Sequence, residues 1–146
     1  MKALVKTASG MGNLEVLDLP EPRPEPDQLK IEVKVGSICG TDLHIHDDEY
    51  VNCPPVVLGH EMSGIVAEVG TDVTRFKVGD RVTSETFKFT CGQCQFCQDG
   101  LIGLCIDRRS MGVHVDGAFT NYVCQREESL HRLPDNVDFE AGSMSE

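Results

Sequence analysis

The chain has 146 residues, 40% apolar and 25% charged, which suits one domain with a real hydrophobic core. Its 13 basic and 24 acidic residues give a formal net charge of -11, which argues against nucleic acid or an anionic membrane as partner. Aromatic residues make up 5% and tryptophan is absent, which argues against base-stacking platforms; no run approaches a membrane span and no secretory signal is visible, so a cytoplasmic location is expected.

From the amino end, Met1, Ala3 and Val5 and then Leu14 and Val16 alternate with other residues around Gly10 and Gly12, predicting two strands joined by a glycine turn. EPRPEP, residues 21–26, continues neither, because proline lacks the ladder donor and fixes φ. LKIEVKV, residues 29–35, is the clearest strand, with Leu29, Ile31, Val33 and Val35 on one face and Lys30, Glu32 and Lys34 on the other. One wet face suits an antiparallel sheet or barrel better than a parallel sheet covered on both sides. Further strands are predicted over 56–58, 63–69, 81–84 and 118–125, separated by Gly70-Thr71-Asp72, Gly79-Asp80 and Asp116-Gly117. Helix is scarce: a short turn over 41–46, and a second segment capped by Asp138. The fold class is therefore mainly β, a partly open barrel with few short helices. Gly10-Met11-Gly12 lacks the third glycine of a dinucleotide fingerprint, and no βαβ unit is present to carry one.

Four of the seven cysteines lie in CGQCQFCQDGLIGLC, residues 91–105, as C-x2-C-x2-C-x7-C. Two-residue gaps let successive sulfurs point to a common centre, and a tetrahedral zinc ion satisfies four thiolates with no open position. A disulfide knot is disfavoured by the odd cysteine total and the absent signal. An iron–sulfur run characteristically places proline after its last ligand, where this chain has Ile106. Rubredoxin-like iron would need two separated pairs. Cys91, Cys94, Cys97 and Cys105 are thus expected to hold a structural zinc.

A second cluster is spread along the chain. Cys39 stands in GSICGTDLH, directly after the 29–35 strand and between Gly36 and Gly40; His60 and Glu61 stand in LGHE. Cysteine, histidine and glutamate are the ligand types of an open catalytic zinc site. Neighbouring residues of an extended chain point to opposite faces, so His60 and Glu61 reach one ion only if the backbone is irregular there. Otherwise Glu61 supports the site from behind or alternates as a ligand.

These segments carry a resemblance. CGTDLH (39–44), VVLGHEMSGIVAEVG (56–70), VGDRV (78–82), the four-cysteine lobe, DGAFTNYV (116–123) and LPDNVDFEAGSMSE (133–146) together resemble the zinc-dependent medium-chain alcohol dehydrogenase family. The closest likeness is to the amino-terminal catalytic domain of its polyol (sorbitol) and L-threonine dehydrogenase branch. The resemblance implies a GroES-like distorted barrel with a protruding zinc lobe over residues 1–146, incomplete because the nucleotide-binding Rossmann domain and the returning carboxyl-terminal segment are absent. It implies two zinc ions per full-length chain, NAD or NADP bound by the absent domain, and zinc-assisted hydride transfer that oxidises a small secondary alcohol to a ketone. The isolated fragment would be inactive, and the full-length protein a homo-oligomer, dimer or tetramer.

Residue by residue, Cys39 and His60 resemble the catalytic zinc ligands, and Glu61 the adjacent glutamate that ligates in some members. The chain departs from the two-cysteine pattern: past the lobe the only further cysteine is Cys124, in a predicted strand, and Glu146 instead resembles the glutamate offered to the zinc or its water. Asp42 resembles the carboxylate that receives the other imidazole N–H, though an N-cap role is equally open. Thr41 would place a hydroxyl beside the substrate oxygen, and His44 would pass the proton to solvent. His46, His114 and His131 are expected on the surface. A zinc-stabilised interaction or assembly module without catalysis is the alternative.

Overall fold

The computed structural model describes residues 1–145. Among them ten strands and three short α-helices follow in chain order: β1 (Lys2–Lys6), β2 (Leu14–Asp18), β3 (Gln28–Ser37), α1 (Gly40–His46), β4 (Val56–Val57), β5 (Glu61–Val69), β6 (Arg81–Ser84), β7 (Phe87–Phe89), α2 (Gln95–Gln98), β8 (Arg109–Ser110), β9 (Tyr122–Arg126), β10 (Leu130–Arg132) and α3 (Phe139–Ser143). They form a five-stranded antiparallel sheet in the order β10-β6-β5-β3-β9, a three-stranded one in the order β2-β1-β4, and the two-stranded ribbon β7-β8. This is the mainly β architecture with few short helices that the sequence predicts.

The period-2 pattern of residues 29–35 explains why β3 is central. Leu29 and Ile31 are completely buried and join Met62, Val66, Val82, Met111, Val123 and Leu130 in the main core. Each such side chain contributes about 1.5–3 kcal/mol when fully removed from water. Lys30 on the other face pairs with Glu68 at 2.9 Å. A second cluster, Ile45, Val56, Leu58 and Val113, holds α1 against the three-stranded sheet.

The β1–β2 hairpin turns through Gly10 and Gly12, as its glycines predict, and encloses an unexpected group. Lys6 is fully buried, and its ammonium donates to the carbonyls of Gly10 at 2.5 Å, Gly12 at 2.8 Å and His46 at 3.4 Å. The three carbonyls replace water around the charge, and the last of them closes the end of α1.

Three expectations change. The strand foreseen over 118–125 begins only at Tyr122, because the amides of Ala118 and Phe119 are committed to the carbonyls of Gly59 and Leu58 instead of a ladder. The strand over 56–58 ends at Val57. Strands β7, β8 and β10, two or three residues each, were not foreseen, being too short to show a period. Asp138 does cap α3, its Oδ1 accepting from the Ala141 amide at 2.7 Å. Among the described residues, no helix is long and apolar enough to cross a membrane.

Candidate functional site

The antiparallel pairing of β3 with β5 brings the scattered cluster together. Its register ends at Ser37 opposite Glu61, so Cys39 lies two residues beyond one strand and His60 immediately before the other. Ligand atoms of Cys39, His60 and Glu61 all lie within 4.8 Å of one another. The alternation problem is resolved by an irregular backbone: Gly59 sits at φ +91° and His60 is outside the strand, so His60 and Glu61 reach the same side.

Gly59 allows no substitute. A Cβ there would stand 2.4 Å from the Phe119 ring, and a Cβ on Gly117 would stand 2.0 Å from the Gly59 carbonyl oxygen. The segment 117–119 crosses so closely because its amides bond the 57–59 backbone, which fixes the approach of His60 from behind.

Asp42 is the third residue of α1, not its N-cap, a position taken by Cys39. Its Oδ2 accepts from the Cys39 amide at 2.9 Å, while its Oδ1 lies 3.6 Å from Nδ1 of His60. Both atoms of that second pair are buried and, among the described residues, without a hydrogen-bond partner. With Nδ1 turned to the carboxylate, Nε2 is left to face Cys39 and Glu61, the arrangement that orients a ligating imidazole. A buried carboxylate aimed at a buried imidazole beside a thiol and a second carboxylate is a donor set that a divalent cation fits.

Thr41 Oγ1 is 3.7 Å from Cys39 Sγ. Both, with His60, line a cavity of about 190 Å³ completed by Tyr50, Thr86, Arg108, Ser110, Met111 and Val113. His44 lies outside it, exposed on α1 with Nδ1 2.9 Å from Glu49 Oε2. Glu146 lies outside the described residues. Cys124 is buried in β9, where burial pushes its thiol above the usual range, and it does not join the cluster. His46 and His131 are exposed, but His114 is half-buried and accepts from the Ser110 amide at 3.2 Å. Burial, then the Arg109 and Arg108 cations, push the His114 pKa down.

The four cysteines of the lobe also converge. All seven cysteines of the chain are free thiols, and the Sγ atoms of Cys91, Cys94, Cys97 and Cys105 lie within 4.8 Å of one another. Cys91 is 3.6 Å from Cys105 and 4.0 Å from Cys97, sulfur to sulfur. A tetrahedron with metal–sulfur bonds of about 2.3 Å has edges of about 3.8 Å, whereas a disulfide would need about 2.05 Å. Amide N–H groups of Cys97 and Ile106 pull the Cys94 thiol down to about 6. Burial, followed by hydrogen bonds with Cys94 and Cys105, pushes Cys97 up to about 12. Four thiols crowded this way cannot all ionise without a cation.

Arg108 was missed from the sequence, where it stands in no motif. Its Nε donates to Ser110 Oγ at 3.2 Å, Nη1 to the Gly103 carbonyl at 3.1 Å and Nη2 to Thr86 Oγ1 at 3.2 Å, tying the lobe to the cavity wall.

Residues 25–135 match the family described as "Alcohol dehydrogenase GroES-like domain". The chain belongs to this family. A sorbitol dehydrogenase of Halalkalibacterium halodurans is 49% identical over 146 residues, covering 100% of this chain and 43% of the relative. A D-arabitol-phosphate dehydrogenase of Enterococcus avium is 46% identical over 147 residues, 100% of this chain and 42% of the relative. Among solved structures, a Sinorhizobium meliloti 1021 protein bound to NADP superposes with a TM-score of 0.90 at 37% identity, covering 97% of this chain and 41% of that one. The chain therefore spans about two fifths of the length of the relatives it matches. Membership agrees with the GroES-like domain and the polyol dehydrogenase likeness inferred from the sequence.

Proposed function

We propose that this chain is the catalytic domain of a zinc- and NAD(P)-dependent dehydrogenase that oxidises a small polyol-like secondary alcohol to a ketone. The observation that carries the reading is the convergence of Cys39, His60 and Glu61 at the edge of a cavity beside Thr41. The polyol and polyol-phosphate dehydrogenases among the relatives support the substrate class. In the whole protein a nucleotide-binding domain would follow, carry the NAD or NADP, and complete the substrate cleft.

Cys39, His60 and Glu61 would hold the catalytic zinc, with Glu146 as a further donor, and the four lobe cysteines a second, structural zinc. Bound there, zinc supplies Lewis acidity to the substrate hydroxyl. The chain's own residues do the rest. Asp42 holds the His60 ring in one tautomer and presents Nε2. Thr41, on the cavity wall beside Cys39, orients the substrate hydroxyl and relays its proton, giving up its own hydroxyl proton as it takes the substrate's. His44, three residues along the same helix and open to solvent, hands that proton on, its other nitrogen steadied by Glu49. Tyr50 and Met111 narrow the cavity and exclude water. We place the protein in the cytoplasm as a homo-oligomer, and its partner is a small molecule.

The assembly-module reading loses support because Cys39, His60 and Glu61 converge with the Asp42 carboxylate behind His60. The test is metal content and turnover in the full-length protein: two zinc ions per chain and NAD(P)-dependent oxidation of a polyol are expected. Cys39→Ser should leave one ion and lower kcat/KM by at least about 10³-fold. Retention of both ions and of activity in that variant would overturn the proposal.

A further inference from the structure

Arg108 is the one formally charged lysine, arginine, aspartate or glutamate among the described residues lining the catalytic cavity. Of the chain's other arginines, Arg126 lies 2.8 Å from Asp27 and 3.4 Å from Glu128 and Arg132 lies 2.6 Å from Asp80, while Arg81 donates to the carbonyls of Pro134, Asp135 and Val137, outside this cavity. Arg108 is half-buried, yet among the described residues its guanidinium meets only two hydroxyls and a backbone carbonyl. Those contacts use three of its five N–H donors. Two donors and a full positive charge remain, in a protein with a net charge of -11.

We infer that Arg108 is a specificity residue and that the substrate is an anionic polyol, a hydroxylated chain ending in a carboxylate or phosphate. The inference rests on the dehydrogenase reading and sharpens its substrate class. The remaining guanidinium donors receive the oxyanion, because a planar fork matches carboxylate and phosphate oxygens and a charge-assisted bond in a partly dry pocket is stronger than a neutral one. Ser110 accepts from Nε and keeps its own hydroxyl proton to give to the substrate. Tyr50 and Thr41 supply a hydroxyl-bearing wall suited to the remaining carbons, and Cys39 and His60 mark the end where the reacting carbinol sits. The bonds from Nη1 to Gly103 and from Nη2 to Thr86 hold the guanidinium in place before binding, so little side-chain freedom is lost on capture.

Two measurements test this. In the full-length enzyme with its cofactor, kcat/KM is compared for D-gluconate, D-sorbitol 6-phosphate and neutral D-sorbitol. At least one anion is expected to exceed D-sorbitol by about 100-fold, and whichever anion leads identifies the terminal group. Arg108→Met should lower kcat/KM for the leading anion about 100-fold more than for D-sorbitol, and Arg108→Lys should restore about a tenth of that difference. The second readout is binding to the zinc-loaded 146-residue chain by calorimetry, with the same three probes and variants. Preference for neutral D-sorbitol in both measurements would overturn the inference. So would an equal loss on all three probes in Arg108→Met, which is the signature of a merely structural arginine. Anion binding that depends on Arg108 without any turnover would instead overturn the dehydrogenase reading and leave the anion site standing.

Discussion

The two cysteine-bearing clusters are built by opposite means. The lobe takes all four sulfurs from the fifteen residues between Cys91 and Cys105, around one four-residue helix, and Cys105 is the only buried residue of that stretch. Its apolar residues Leu101, Leu104 and Ile106 are exposed, so little hydrophobic burial holds it folded. The open cluster takes its ligands from the ends of two paired strands, with Asp42 and His60 buried and a crossing backbone segment behind them. The lesson is that the lobe's shape depends on what its sulfurs bind, whereas the open site's shape is set by the surrounding sheet and exists before anything binds.

The largest expected effect breaks the lobe. Structural zinc in small domains supplies apparent binding energies of about 10–16 kcal/mol, nearly all of it folding energy. Cys97→Ala is expected to abolish zinc retention at the lobe and unfold residues 91–108 while the β3–β5 core stays intact. Hydrogen exchange checks this: amide protection should vanish in the lobe and persist from Leu29 to Val35. Protection lost in both would show that the lobe and the sheet are one cooperative unit.

Next in size is Gly59→Ala, which attacks the scaffold and leaves the sulfurs alone. The left-handed φ and the contact with Phe119 should together cost about 2–4 kcal/mol in urea unfolding. Cobalt substituted at the open site should lose its spectrum, and cobalt at the lobe should keep it. Asp42→Asn is smaller again. Without the carboxylate facing Nδ1, metal affinity at the open site should fall about 10–100-fold, with lobe affinity unchanged, as competition against a chromophoric chelator would report.

The smallest effect is a proton count. At neutral pH, Cys94, held down to about 6, is already a thiolate, while Cys97, held up to about 12, still carries its proton. Zinc binding to the lobe should therefore release the Cys97 proton. Below about pH 6 the Cys94 proton must leave too, so affinity should fall more steeply as acidity rises past that point. Calorimetry in buffers of different ionisation enthalpy measures the release, and a count independent of pH across that value would contradict the thiolate order.

Legibility followed the same divide. The lobe's ligands were readable because two-residue gaps act through the local chain, and β3 was readable because Leu29 and Ile31 keep strict alternation. His60 and Glu61 were named, but their meeting on one side was not decidable, since it depends on the Gly59 torsion and on Phe119 sixty residues away in sequence. Ala118 and Phe119 looked like strand because their side chains alternate, and nothing local reveals that their amides serve Gly59 and Leu58. Arg108 left no signal, because its importance comes from which cavity it borders.

The ammonium of Lys6 has a practical use. Enclosed by Gly10, Gly12 and His46, it is out of reach of acylating reagents while the hairpin stays seated on α1. Its rate of covalent labelling, set against that of exposed Lys2, would time how often the hairpin lifts away from the helix that carries Thr41 and His44.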